Sequence, residues 1–99
     1  MSGRVMTVLE ARVAPDRWDQ LRRAFEEGRA RLPTQMVHAY LVQSAAEPTL
    51  WRGISVWHSR ESLTAYQQSV ETPGGVLMFR MAGAEPTLSL FDVAIDFAV

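Results

Sequence analysis

Few side chains in this 99-residue chain could exchange protons with a substrate at neutral pH. It has two histidines, His38 and His58, and no cysteine, which excludes a thiol nucleophile, a zinc–thiolate site and an iron–sulfur cluster. The ordinary pKa of an imidazole lies near neutral pH, which suits a group that must take up and release a proton as a general base. His38 is the candidate base, because it shares one face of a predicted strand with Met36, Tyr40 and Val42 and should be partly buried. Its alternative is a hydrogen-bonded strand histidine with a structural or interface role. His58 precedes Ser59, a predicted helix cap, and should be exposed.

Aromatic residues suggest a place for a flat ligand. Trp51 and Trp57 share one face of a predicted strand with the small Gly53 and Ser55, so we expect a hollow between the two indoles. The alternative is ordinary core packing of both tryptophans. Tyr66, on the helix that follows, could donate a proton to a substrate oxygen, or could be a core residue with its hydroxyl at the edge.

One cation stands within an apolar run. Arg80 is the lone charged residue of the segment 76–81, where it could stabilise an enolate in an apolar pocket or could point into solvent. The predicted site therefore divides into two groups. The expected catalytic residues are His38, Tyr66 and Arg80, and the expected ligand-binding residues are Trp57, Ser55, Trp51, Tyr40 and Phe79.

Composition excludes several other classes of function. Ten basic and eleven acidic residues give a net charge of −1, too close to neutral for a nucleic-acid or anionic-membrane binder. Phosphate-loop, dinucleotide, serine-hydrolase and zinc-protease motifs are absent, and two scattered histidines predict no metal site. All the basic residues are Arg, typical of a GC-rich bacterial genome. No apolar run approaches about 18 residues and the first residues lack a signal-peptide pattern, so we predict a cytoplasmic protein without a membrane span.

The order of predicted elements indicates the fold. A chain of 99 residues with 47% hydrophobic content fits a single domain over residues 1–99. Alternating and helical periodicities predict strand, helix, strand, strand, helix and strand, with a short helical or irregular segment before the last strand. The predicted strands are 5–13, 36–43, 50–58 and 87–97, the helices are 15–32 and 60–70, and the uncertain segment is 76–81.

This order is that of the ferredoxin-like βαββαβ fold, an α+β fold in which two helices cover one face of a four-stranded antiparallel sheet. The opposite face is then open. Apolar residues on both faces of strands 36–43 and 87–97 predict that a second copy of the chain covers it. The face measures on the order of 400 Å², near the size at which an exposed apolar patch on a monomer becomes unusual. We therefore predict a homodimer through the sheet face.

The segment 54–66 resembles the strand-to-helix junction of antibiotic biosynthesis monooxygenase domains. In those domains a Trp at the strand end is followed by a Ser-x-Glu sequence and by an aromatic residue or His; here these are Trp57, Ser59, Glu61 and Tyr66. The resemblance implies a dimeric α/β barrel with a ligand pocket between each subunit's sheet and helices. It also implies oxygenation of electron-rich, polyketide-type phenols without flavin, metal or haem, so no cofactor is expected.

A haem-degrading branch of the same superfamily uses an Asn on the first strand and a His on the second helix. This chain has no Asn, and its segment 60–70 has no His, so haem oxygenation is not expected. Members that oxygenate polyketides also use an Asn near the strand-end Trp, where this chain has Gly53 and Ser55. Two functions stay open: a cofactor-independent monooxygenase of a small aromatic or enolisable molecule, and a non-catalytic small-molecule-binding or accessory dimer.

Overall fold

The computed structural model describes residues 3–99, in which four strands form one antiparallel sheet of order β2-β3-β1-β4 with helices packed on one face. The predicted ferredoxin-like α+β fold is confirmed. Within one subunit the sheet has two edges, β2 and β4, and does not close into a barrel. The elements are β1 (Val5–Arg12), α1 (Trp18–Gly28), β2 (Met36–Gln43), β3 (Leu50–Trp57), α2 (Arg60–Ser69), α3 (Gly74–Met81) and β4 (Thr87–Asp92).

Two predictions concern the chain's relation to membranes and export. None of the helices in residues 3–99 is long and apolar enough to cross a membrane. The expectation that no signal peptide is present rests partly on Met1 and Ser2, which lie outside the described residues.

Strand alternation assigns each residue of β1 and β3 to one of two sheet faces. Val5 pairs with Trp57 and Ala11 with Trp51, and all four side chains are buried beneath the helices. The alternate residues of each strand point to the opposite face of the sheet, which we call the open face. The open face carries Met6, Val8, Glu10 and Arg12 of β1, Leu50, Arg52, Ile54 and Val56 of β3, His38, Tyr40 and Val42 of β2, and Thr87, Ser89 and Phe91 of β4.

The helices begin and end largely where local sequence signals place them. Pro15 opens a short 3-10 turn before α1, as proline suits a helix start. Ser59 caps α2 by accepting a hydrogen bond from the backbone N–H of Ser62 at 3.0 Å, which confirms the predicted cap. The predicted first helix is too long: α1 ends at Gly28, a 3-10 turn follows, and Leu32 is exposed instead of packed.

The segment 76–81, which the sequence left as helical or irregular, belongs to α3. Its Phe79 is fully buried and packs with Leu21 of α1 against the sheet. A smaller group under α2 consists of Val5, Trp57 and Leu63. The sheet therefore has two packed regions on its helix side, one beneath α1 and α3 and one beneath α2.

The last strand is shorter than predicted. It ends at Asp92, which pairs with Val5, the first residue of β1, so the ladder with β1 ends there. Residues 93–99 follow without a helix or strand of their own. The alternation of apolar residues from Phe91 to Phe97 is genuine, but a strand also requires a neighbour with which to pair.

Candidate functional site

Trp57 is the centre of the candidate site, on the helix side of the sheet. It ends β3, is only 3% exposed, and donates its indole N–H to the hydroxyl oxygen of Thr7 at 3.0 Å. Thr7, on β1, is the one buried polar residue among the described residues. A buried indole N–H needs such an acceptor, so this hydrogen bond fixes the orientation of the Trp57 ring.

Tyr66 lies against Trp57. Helix α2 carries Tyr66 on its sheet-facing side, and the centroids of the Tyr66 and Trp57 rings are 5.1 Å apart with ring planes inclined by 34°. The Tyr66 hydroxyl accepts the backbone N–H of Gly74, the first residue of α3, at 2.9 Å. Because the phenol oxygen is the acceptor in that contact, its own proton is available for another oxygen. The rings of Trp57 and Tyr66 and the Tyr66 hydroxyl therefore lie close together between α2 and the sheet.

The predicted hollow between the two indoles is filled at its middle. A Cβ atom built on Gly53 would lie 3.4 Å from Cε2 of Phe79 and 3.7 Å from Cε of Met78, so side chains of α3 occupy that space. The prediction of an open hollow is wrong because α3 packs on the sheet there. Ser55, half-buried and paired with Thr7, remains beside Trp57 on the same face.

Trp51 and Phe79 are core residues in this arrangement. Trp51 is 3% exposed, and its ring meets Trp18 edge-on at a centroid distance of 6.0 Å. The guanidinium of Arg22 lies 5.6 Å from the centroid of the Trp51 ring, and the indole N–H of Trp51 has no hydrogen-bond partner within residues 3–99. Phe79 has no exposed surface. For both residues the geometry is that of core packing.

His38 lies on the opposite side of the sheet from Trp57. A β-bulge between Met36 and His38 turns Met36 toward Trp57, whereas His38 pairs with Val56 and points onto the open face. The prediction that Met36 and His38 share a face is therefore wrong, and His38 is exposed in the subunit. Its ring stacks on that of Tyr40, with centroids 6.0 Å apart. Within one subunit, His38 and Tyr40 do not meet Tyr66.

Arg80 is exposed and paired. Its Nε and a terminal nitrogen donate to the two carboxylate oxygens of Glu85 at 2.9 and 2.8 Å. These hydrogen bonds raise the pKa of Arg80 and lower the pKa of Glu85. Of the two predicted settings for Arg80, the structure shows the solvent-facing one. His58 is exposed at the end of β3, as predicted.

The open face combines an apolar half with a charged half. Near its centre, Nε of Arg52 lies 2.7 Å from a carboxylate oxygen of Glu10. Both residues of this ion pair line a shallow cavity of about 250 Å³. In the part of the chain that the structure describes, no three His, Asp or Glu side chains cluster closely enough to hold a metal ion. The cavity is lined by Val8, Glu10, Arg52, Ile54, Thr87, Ser89 and Phe91.

Sequence reasoning missed Thr7 and Gly74. Thr7 occupies an alternate position between the apolar Val5 and Leu9, and a hydroxyl on an otherwise apolar strand face is a signal that could have identified it. The contribution of Gly74 is a backbone N–H, which any residue other than proline could supply. No side-chain pattern marks it.

Comparison with known proteins bears on the fold and the family of the chain. No curated protein matches the sequence. Among solved structures, SnoaB, a cofactor-independent oxygenase from Streptomyces nogalater, has 17% identity and a TM-score of 0.67, with 95% of this chain and 96% of that chain covered. A conserved protein from Methanosarcina mazei has 11% identity and a TM-score of 0.70, covering 91% and 92%. At these identities the structural matches establish the fold. The model of the antibiotic biosynthesis monooxygenase family matches residues 4–72, and the chain therefore belongs to that family.

Proposed function

We propose that this protein is a cofactor-independent monooxygenase of a small electron-rich aromatic or enolisable molecule, bound beside Trp57 and Tyr66. The observation that carries the proposal is the paired ring geometry of these two residues in a chain of this family. The indole is held by Thr7 and the phenol by the N–H of Gly74, so both are oriented before a ligand arrives. Preorganised groups of this kind lower the cost of holding a reactive ligand.

The proposed reaction converts an activated CH₂ group and one O₂ into a ketone and one water. It needs removal of a proton from the substrate, a surface that holds the resulting electron-rich anion, and return of a proton to the peroxide formed with oxygen. The Tyr66 ring, half-buried and packed on the buried Trp57 indole, supplies an aromatic surface. Tyr66 has a hydroxyl proton that it can donate to the peroxide, because its oxygen is the acceptor in the contact with Gly74.

His38 enters the proposal as a base to be tested separately. It lies on the open face, so within one subunit it cannot serve the same ligand as Tyr66. Arg80, the proposed anion stabiliser, is bound by Glu85 and would have to leave that partner to meet a substrate. Activity retained in His38→Ala and Arg80→Gln would remove both groups from the mechanism and leave proton handling to the helix side.

We also propose that the protein is a homodimer through the open face. The apolar half of that face, which includes Val8, Ile54 and Phe91, would be removed from water. In the charged half, Glu10 and Arg52 are in contact, so their opposite charges compensate each other. A two-fold interface brings the same surface together from both copies, so a face that carries both signs is complementary to itself.

The second candidate function is a non-catalytic module that binds a small aromatic molecule. The observation that favours it is the separation of His38 from Trp57 by the sheet, which leaves the helix-side site without an imidazole base. Binding without oxygen consumption would identify this function. Ligand binding would still quench the tryptophan fluorescence of the wild type, and would quench it less in Trp57→Phe.

Oxygen uptake with an anthrone or a dihydroxynaphthalene and no added cofactor tests the proposal, after subtraction of the spontaneous rate. We expect one O₂ consumed per ketone formed without hydrogen peroxide, and lower rates in Trp57→Phe and Tyr66→Phe. Gln68→Ala, an exposed position on the same helix as Tyr66, is the control and should keep the wild-type rate. Fluorescence quenching without oxygen uptake, for every substrate of the series, would instead support the binding module.

A further inference from the structure

We propose that Met78 is a displaceable wall of the ligand site, and that its movement gives the ligand access to the indole N–H of Trp51. This inference rests on the proposed function, because it extends the site beside Trp57 along the same strand. It also names a ligand class: an elongated aromatic molecule that carries a hydrogen-bond acceptor at the end remote from Trp57.

The N–H of Trp51 is the unmatched donor among the three tryptophans of the chain. Trp18 donates to the carbonyl oxygen of Val13 at 2.9 Å, and Trp57 donates to the hydroxyl of Thr7. Trp51 is buried, and its N–H has no acceptor in the part of the chain that the structure describes. Buried donors are normally paired, so this one is available to a ligand.

The groups around the Trp51 ring do not supply the missing acceptor. The guanidinium of Arg22 lies 5.6 Å from the ring centroid, and a guanidinium carries only N–H donors. The Trp18 ring meets Trp51 edge-on, and its N–H is a donor as well. A ligand oxygen would satisfy the Trp51 N–H, and the nearby cation would favour an oxygen with negative charge.

The space above Gly53 separates this donor from the ring pair of Trp57 and Tyr66. Trp51, Gly53 and Trp57 lie on one face of β3, and at the usual rise of a strand Gly53 is about 7 Å from Trp51 and about 13 Å from Trp57. Gly53 and Ser55 are half-buried, so this part of the face keeps some access to solvent. A ligand that starts beside Trp57 must cross Gly53 to reach Trp51.

Two side chains of α3 fill the space above Gly53, and Met78 is the one that can rotate away. Its terminal methyl lies 3.7 Å from the place of a Cβ on Gly53, at the end of an unbranched side chain with three rotatable bonds. Phe79 approaches to 3.4 Å with a rigid ring that is fully buried. Met78 belongs to the same buried cluster as Trp51, so its rotation would open space next to that indole.

A matched pair of ligands tests the donor. 6-Acetyl-2-naphthol and 6-isopropenyl-2-naphthol have nearly the same shape, but only the first has a carbonyl oxygen at its far end. Isothermal titration calorimetry should show that the wild type binds the ketone more tightly. Trp51→Phe keeps an aromatic ring without the N–H and should reduce this advantage about tenfold, the equivalent of one good hydrogen bond.

Trp18→Phe is the control for Trp51→Phe, because it removes an N–H that already has an acceptor. It should leave the ratio of the two dissociation constants as it is in the wild type. A ratio that Trp51→Phe also leaves unchanged would overturn the role of Trp51. Circular dichroism verifies that both variants fold.

Met78→Ala tests the wall and does not depend on the folding of Trp51→Phe. It should strengthen the binding of 6-acetyl-2-naphthol several-fold, because the ligand no longer has to displace a packed side chain. Binding of 4-hydroxyacetophenone, which is one ring shorter, should not change. Leu77→Ala, at an exposed position of the same helix, should alter neither affinity. An equal effect of Met78→Ala on both ligands, or no effect on either, would overturn the wall.

Failure of this inference differs from failure of the proposed function. Absence of binding of both naphthols to the wild type would overturn the ligand site and this extension together. The expected binding pattern without oxygen uptake would support the extension and assign the protein to the non-catalytic function. Oxygen uptake that depends on Trp57 and Tyr66, with no effect of Trp51→Phe or Met78→Ala on binding, would overturn the extension alone.

Discussion

The indole N–H of Trp57 donates to the hydroxyl oxygen of Thr7, 3.0 Å away on the neighbouring strand, and both residues are buried. Val5 is the direct cross-strand partner of Trp57, so the hydrogen bond runs diagonally between β1 and β3. The same indole carries Tyr66 on its ring face. A single threonine hydroxyl thus positions the aromatic pair on which the proposed function depends.

Replacement of Thr7 by Val should leave the Trp57 N–H buried without an acceptor while keeping the shape of the side chain. We expect the free energy of unfolding to fall by about 1–3 kcal/mol, the usual cost of an unsatisfied buried donor. Thr7→Ser keeps the acceptor oxygen and loses only a methyl group. Urea unfolding of both variants provides the measurement, and a loss in Thr7→Ser as large as that in Thr7→Val would show that the hydroxyl is not what matters.

Phe79 should be among the most costly residues to truncate. It is fully buried and fills the space above Gly53, so Phe79→Ala should leave a cavity and lower the free energy of unfolding by about 3–5 kcal/mol. Leu77 lies on the same helix and is 47% exposed, which makes Leu77→Ala a matched control with a much smaller expected loss. Similar unfolding free energies for the two variants would contradict the packing of α3 described above.

The sequence predicted those features that are encoded locally. Alternation located all four strands, and Ser59 marked the start of α2 because a hydroxyl there satisfies a free backbone N–H. The β-bulge beside His38 has no local signal, and one extra residue changes which side of the sheet a side chain faces. The end of β4 depends on where β1 begins, a property of the partner strand. The sequence therefore could not predict which face of the sheet each candidate residue points to, and the structure was needed to assign it.

The ion pair between Arg80 and Glu85 should make the stability of the fold depend on pH in the acidic range. Hydrogen bonds from Arg80 lower the pKa of Glu85 below its ordinary value of 4.5. A carboxylate with a lowered folded-state pKa stabilises the fold above its unfolded pKa, and that contribution disappears as the pH falls through the folded value. The melting temperature of the wild type relative to Glu85→Gln should therefore decline as the pH falls below about 4.5.

The same comparison in an Arg80→Gln background isolates the pair. Without the guanidinium, Glu85 loses the partner that favours its charged form. The difference in melting temperature between Arg80→Gln and the double variant Arg80→Gln with Glu85→Gln should therefore stay constant over the same pH range. Both groups are exposed, so the effect in the wild type should also shrink at high salt. A pH trend that persists in the Arg80→Gln background would assign it to another carboxylate.

Tyr66→Phe should separate the two contributions of this residue, its ring and its hydroxyl. The ring contact with Trp57 survives the substitution, but the N–H of Gly74 loses its acceptor, so the junction between α2 and α3 should loosen. We expect a loss of about 0.5–1.5 kcal/mol in the free energy of unfolding and faster hydrogen exchange at the Gly74 amide. Tyr66→Leu, which also loses the ring, should lower the free energy of unfolding further and should shift the wavelength of the tryptophan emission.

Steady-state kinetics of the same Tyr66→Phe variant test whether the hydroxyl also returns a proton to a peroxide. If it does, the substitution should lower kcat for oxygen uptake more than it changes KM, because a group used only in the transition state does not alter ground-state binding. The hydroxyl is free to act in this way because its oxygen, and not its proton, is engaged by Gly74. A change confined to KM would assign the hydroxyl to holding the α2–α3 junction and not to proton transfer.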